Sequence, residues 1–175
     1  MNQQDLKMRT PRVFAIEKMN EIFRDIPYGI EHTMKVLSNA ELIMESLEIN
    51  DELKELISLT AILHDIGAVE AQKKYNSMEG KYQEIEGPLI AREILLQIDY
   101  QQSKINRICY IIGNHHSPSK IDGIDFEIQW DADLLENLAA DEILNHSDKL
   151  VEYIENNFKT EKGKVLAYER FVNNS

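Results

Sequence analysis

The sequence predicts an all-α fold, a compact helical bundle in a single domain over 1–175. Three observations point there. Apolar residues recur at intervals of three and four through several stretches, which is the spacing of one helix face. The 4 prolines and 7 glycines fall between those stretches, so breakers separate elements and do not interrupt them. The connections are short, as between amphipathic helices stacked as neighbours. Only one segment, Phe126-Glu127-Ile128, has the character of a short strand.

In chain order, Thr10-Pro11 reads as a helix start, with threonine at the N-cap and proline at the first helical position. That helix is expected to reach about Asp25 with Val13, Phe14, Met19, Ile22 and Phe23 facing inward, and Pro27-Tyr28-Gly29 to break it. The next carries Ile30, Met34, Leu37, Met44 and Leu47 at helical spacing. Asn50-Asp51 caps a third, with Leu53, Leu56, Ile57, Thr60, Ala61 and Leu63 on its apolar face and Gly67 at its end. Residues 68–84 are polar and read as a long loop, at most with a short helix in it. Gly87-Pro88 is expected to open a helix to about Ile98, and Ser103 one to about Gly113. Ser117 to Asp125 reads as polar turn, and two or three further helices are expected over Ala132 to Val172.

With apolar residues at 43% the chain can bury a real core. A single cysteine, Cys109, excludes an internal disulfide and fits a cytoplasmic setting; it lies on an apolar face with Ile105, Ile108 and Ile112 and reads as a core residue. No charged-then-apolar leader opens the chain, and no apolar run reaches the ~18 residues a membrane span needs, so no membrane partner is expected. A formal charge of −12 leaves no broad basic surface for a nucleic-acid polymer. A phosphorylated ligand would need a local cation to offset that field, and a bound metal would supply one.

The chemistry concentrates at histidines. In Leu63-His64-Asp65-Ile66-Gly67 a histidine and an aspartate end an apolar helix together. Successive helix positions point about 100° apart, so two adjacent ligands can meet one ion only near a helix end. The glycine then lets the chain turn away. Buried side by side, the two side chains need compensation, which a divalent cation gives to both. The alternative is that Asp65 caps a neighbouring element and His64 donates to a backbone carbonyl. The pair has company, however: His32 stands one helix earlier at the edge of an apolar face, and Asp133 begins a late helix in Trp130-Asp131-Ala132-Asp133-Leu134-Leu135. This mixture of nitrogen and oxygen donors suits Mn, Fe, Co, Ni or Zn better than Ca. His115-His116 follows a helix end and reads either as an exposed turn pair or as a second-metal or proton-donating pair; His146 reads as a surface residue, and Trp130 as packing beside the last ligand.

The order His32, then His64-Asp65, then a distant Asp133 resembles the HD-domain superfamily of metal-dependent phosphohydrolases. Ala61-Ile62-Leu63-His64-Asp65-Ile66-Gly67 matches its central signature, Tyr82 to Arg92 is similar to the following segment in a bacterial subgroup, and Tyr110 to His116 resembles a later helix end. The resemblance covers about 28–140, leaving 141–173 as C-terminal helices packed on that core. It implies His32, His64, Asp65 and Asp133 as ligands of one divalent transition metal, with a second ion compatible. Asp131 competes with Asp133; the family's alanine-aspartate setting fits Ala132-Asp133, with Asp131 as a helix cap. Many members carry a histidine where this chain has Glu86, and a carboxylate there could bind a second metal, orient a water or act as general base. Asp65, Glu86, His115 and His116 are thus the expected catalytic groups. Lys73, Lys81 and Arg92, with Lys74 beside them, are candidate phosphate contacts, the alternative being solvated loop charges. The implied activity is hydrolysis of a phosphate ester, a nucleotide or other small phosphorylated metabolite, by metal-activated water. The alternatives are a diiron oxygenase of the HD type and a catalytically silent nucleotide-binding module. A homodimer is compatible with all three.

Overall fold

The computed structural model describes residues 9–145 and 147–173; His146 lies outside them. It is all-α: α1 Pro11–Ile22, α2 Pro27–Met44, α3 Asp51–Leu63, α4 Ala68–Tyr75, α5 Gly80–Leu96, α6 Gln102–Ile112, α7 Ile124–Leu138, α8 Ser147–Asn157 and α9 Glu161–Phe171, with 3-10 turns at Pro118–Lys120 and Glu142–Asn145. No strand occurs among the described residues.

The centre is α3. Asn50 caps it by accepting from the Leu53 N–H at 2.9 Å, and every residue from Leu56 to Leu63 is buried. Each large aliphatic side chain buried there is worth roughly 1.5–3 kcal/mol of transfer free energy. Helices α1, α2, α6 and α7 pack around it, and α2 also lies along α7. A buried polar pin holds that last pair, the Asn39 amide donating to the Ala132 carbonyl at 3.0 Å, beside Asp133. On the far side, Arg107 of α6 grips Asp125 in the first turn of α7 through two hydrogen bonds, 2.7 and 2.6 Å. Helix α9 packs on α7 and α8.

Several elements differ from expectation. Pro27-Tyr28-Gly29 forms the first turn of α2, because a proline at the first helical position needs no N–H partner. The polar stretch 68–84 is mostly helix: α4 ends at Asn76, whose φ of 50° is left-handed, and α5 starts at Gly80. Pro88 therefore sits inside α5 and does not open it. Phe126-Glu127-Ile128 is helical, since α7 begins eight residues before Ala132; Phe126 and Ile128 are both buried in it. Val13 and Met34, expected inward, are 46% and 38% exposed. Cys109 is buried as expected, its thiol donating to the Pro88 carbonyl at 3.2 Å.

Gly67 has φ −75°, so left-handed freedom is not what requires a glycine there. The requirement is close approach: a Cβ at Gly67 would fall 2.5 Å from the Gly87 nitrogen and 2.6 Å from the Gln83 carbonyl oxygen. The turn after His64-Asp65 is thereby pressed directly onto the α5 backbone. Gly67→Ala is expected to cost roughly 2–3 kcal/mol, because backbone must move. Urea unfolding at constant m-value checks it; an unchanged midpoint would show that α5 yields freely.

Candidate metal centre

His64 is the C-cap residue of α3 and is wholly buried. At a helix C-terminus the last carbonyls lack intrahelical donors. The His64 Nδ1–H uses one of them, donating to the Ala61 carbonyl at 2.8 Å. This fixes the ring and leaves Nε2 as the free donor atom. The imidazole bonds a backbone carbonyl, as one reading of the sequence expected of it, and that bond aims its other nitrogen inward. His115, just past α6, repeats the device with the Ile112 carbonyl at 2.6 Å.

Three side chains, from α2, α7 and the α3–α4 turn, converge on His64 Nε2. His32 Nε2, from α2, lies 3.3 Å away. Asp65 Oδ2 is 3.5 Å from both His32 Nε2 and His64 Nε2. Asp133 Oδ1, from α7, is 3.2 Å from His32 Nε2 and 3.6 Å from His64 Nε2. Bonds of about 2.1 Å at angles between octahedral and tetrahedral place neighbouring ligand atoms about 3.0–3.4 Å apart. Two of the five observed spacings, 3.2 and 3.3 Å, fall in that range, and the other three, 3.5–3.6 Å, lie just above it. Asp133 Oδ1 is also buried without a well-directed hydrogen bond. A lone carboxylate oxygen between two imidazole nitrogens is the donor set a divalent transition metal takes up, so the residues fit the ion.

Asp65 faces two ways. Its second oxygen, Oδ1, lies 3.2 Å from His115 Nε2. Asp65, His115 and His116 also offer donor atoms that lie within 4.8 Å of one another. His115 is buried, and His116 is exposed and packs on it at 3.9 Å between ring centroids. One carboxylate thus stands between two donor clusters.

The charges are strongly coupled. Burial disfavours a charged His64, but Asp65 and Asp133 outweigh it and hold the imidazole up at about 9. Burial likewise opposes the Asp65 carboxylate, while His64 and His115 bring its pKa down to about 2. Asp133 is lowered further against its burial by His32 and His64. Without metal, a proton on His64 takes the place of the cation.

The other sequence candidates lie elsewhere. Glu86 is buried and accepts from Lys74 Nζ at 2.7 Å and Tyr75 Oη at 2.9 Å, and the Lys74 hydrogen bond holds it below the usual carboxylate range. Lys73 pairs with Glu70, Lys81 with Glu79, and Arg92 donates to Asn106. Asp131 points away from the cluster: it accepts from the Lys159 and Thr160 N–H groups and the Thr160 hydroxyl at 2.7–2.8 Å. It thus fastens the start of α9 and does not cap its own helix. Trp130 donates from Nε1 to the Asn157 carbonyl at 3.0 Å.

Two clefts open beside the cluster. One, of about 330 Å³, is lined by His32, Asp65, Phe23, Tyr28, Met78 and Gln83 among others. The second, of about 420 Å³, lies between α7 and α8 and is walled by Trp130, Leu134, Tyr153 and Asn157. Both share His116, Asp133 and Asn137. Lys73, Lys81, Arg92 and Glu86 line neither cleft. Sequence reading passed over Asn137, although it lies one turn beyond Asp133 on the same helix face. It passed over Gln83 because 68–84 read as loop.

The HD-domain model matches residues 29–153. The chain belongs to the HD-domain family. Among curated proteins it is 26% identical over 126 residues to the 3'3'-cGAMP-specific phosphodiesterase 1 of Vibrio cholerae serotype O1, covering 69% of this chain and 28% of that protein. The HD-domain chain therefore spans less than a third of that relative's length. No solved structure matches it. Among the described residues, no helix is long and apolar enough to cross a membrane.

With His64 at about 9, metal must displace a proton. Binding Mn(II) or Co(II) at pH 7–8 is expected to release about one proton per ion, falling toward zero as pH rises through about 9. Below 9, affinity rises with pH. In the metal-free protein the sign is opposite: charged His64 stabilises the fold fully below its ordinary value near 6.5, and that contribution is lost as pH rises through about 9. Calorimetry in buffers of different ionisation enthalpy reads the proton count. A release of zero at pH 7.5 would mean that His64 is already neutral in the metal-free protein, against the raised value.

Proposed function

We propose that this HD-domain protein is a metal-dependent phosphohydrolase that cleaves a phosphate ester, a nucleotide or another small phosphorylated metabolite. The observation that carries this reading is the convergence of His32, His64, Asp65 and Asp133 on one point open to a cleft. The relative's printed activity on a cyclic dinucleotide supports a phosphate ester as the substrate.

His32, His64, Asp65 and Asp133 would hold the ion, and Asp65, His115 and His116 would hold a second one. When bound, a divalent ion supplies Lewis acidity, lowering the pKa of water and drawing charge from phosphoryl oxygens. The chain's own groups do the rest. Asp65, ionised down to about pH 2, is available to orient the attacking water through an oxygen not engaged with His64. The water oxygen attacks phosphorus, and the ester P–O bond breaks opposite it. His116 stands at the rim of both clefts; burial and then His115 hold its pKa below the ordinary imidazole value, so it serves there as a neutral ligand and the departing oxygen takes its proton from solvent. Glu86, tied to Lys74 and Tyr75, keeps α4 against α5 around the Gly67 turn in this scheme, and its catalytic part is indirect.

A second reading draws on Asp65 facing both donor clusters. Two ions, one held by each cluster, would also meet the needs of an oxygen-using diiron protein. One experiment treats both: metal analysis of the purified protein with a hydrolysis screen, run with and without oxygen. Turnover is expected with Mn(II) or Co(II) regardless of oxygen. His64→Ala and Asp65→Ala are each expected to lower it by roughly 10²–10³ or more with helical circular dichroism retained. Full activity in either variant would end the hydrolase reading, and turnover only with iron and oxygen would favour the second.

A further inference from the structure

We propose that the substrate is a phosphodiester with two organic arms, one in each cleft beside the His–Asp cluster, the arm between α7 and α8 ending in a planar aromatic base. The proposal rests on the phosphate-ester reading above and narrows it.

The first ground is the placement of the clefts. They share His116, Asp133 and Asn137, so the Asp133 side of the donor cluster sits on the ridge between them, with His32 and Asp65 facing the first cleft. A phosphoryl group at the cluster has room for a substituent on both sides. Each cleft, at about 330 and 420 Å³, falls within the size of a small-molecule site. A monoester would fill one and leave the other wet.

The second ground is charge. Among the described residues, no lysine or arginine lines either cleft. A terminal phosphate carries about −1.5 to −2 near neutral pH. A triphosphate carries more, and the chain's formal charge of −12 opposes both. A diester brings a single negative charge, which the cluster's ion can offset without further cations. Cleavage adds water across one P–O bond and yields a monoester and an alcohol, so the more highly charged product is the one this site holds less well.

The third ground is the wall of the α7–α8 cleft. Trp130 and Tyr153 both line it, with Pro118 and Leu134. The Trp130 ring is fixed by its bond to the Asn157 carbonyl. Fixed aromatic faces suit the stacking of a base, and stacking does not depend on charge. Asn137 stands on the shared rim with an exposed amide, which offers a donor and an acceptor to a base edge.

Trp130 is the only tryptophan in the chain, so its emission reports on this cleft. In the Mn(II)-supplemented protein, adenosine, which has no phosphate to hydrolyse, is expected to change Trp130 emission saturably. Tyr153→Ala should weaken that binding about tenfold and Tyr153→Phe should restore it. In the same preparation, kcat/KM for the dinucleoside monophosphate adenylyl-adenosine should exceed that for AMP and for ATP by at least about tenfold. Turnover of phosphate esters with emission unmoved by adenosine, or a preference for AMP or ATP, overturns the proposal. Saturable, Tyr153-dependent binding of adenosine without turnover of any ester would uphold the aromatic cleft as a base site and overturn the phosphate-ester reading, and the diester with it.

Discussion

Asp133 Oδ1 is buried between the Nε2 atoms of His32 and His64, 3.2 and 3.6 Å away, with no well-directed hydrogen bond of its own. Such a group is costly unless positive charge lies among the three atoms. The rest of the structure arranges for that charge to be there. Asn39 pins α2 to α7 beside Asp133, Arg107 ties the first turn of α7 to α6, and α3 runs through the middle with its C-terminus at the cluster. The donors are held by helix packing and not by a flexible loop, so the entropy of assembling them is met during folding.

Helix ends do the finer work. His64 and His115 each spend Nδ1–H on an unpaired carbonyl three residues back, and the geometry aims Nε2 at Asp65 from two directions. Asp65 sits in a turn that Gly67 presses against α5, so its two oxygens face different clusters. Small side chains and spare backbone acceptors thus set the tautomers and spacing on which the chemistry depends. The two clefts meet at the same ridge, which joins the donor set to the shape of whatever it acts on.

The helical class and most of the donor cluster were legible in the sequence for physical reasons. Capping residues such as Thr10 and Asn50 act locally, and both cap as expected. His64-Asp65 stood out because charged groups at the end of an apolar stripe need a partner. What was not legible depended on tertiary contact. Residues 68–84 are too polar to show a stripe, yet α4 and the start of α5 are helical, with Ala68, Ala71 and Gln83 buried against the rest. Phe126-Glu127-Ile128 alternates like a strand over three residues, too short a window to reveal the helix that buries both apolar members. Asp131 and Asp133 differ by 200° around α7, and only the position of Thr160 shows which one turns inward to the cluster. Lys73, Lys81 and Arg92 were attractive by charge alone, and charge alone does not say where a side chain points.

The central claim is that two imidazoles and two carboxylates grip one cation. X-ray absorption at the metal edge of the Mn(II)- or Co(II)-loaded protein tests it directly. The expected spectrum is a mixed nitrogen and oxygen shell at about 2.1 Å with the outer-shell scattering of two or more imidazole rings. An all-oxygen shell without imidazole scattering would contradict it.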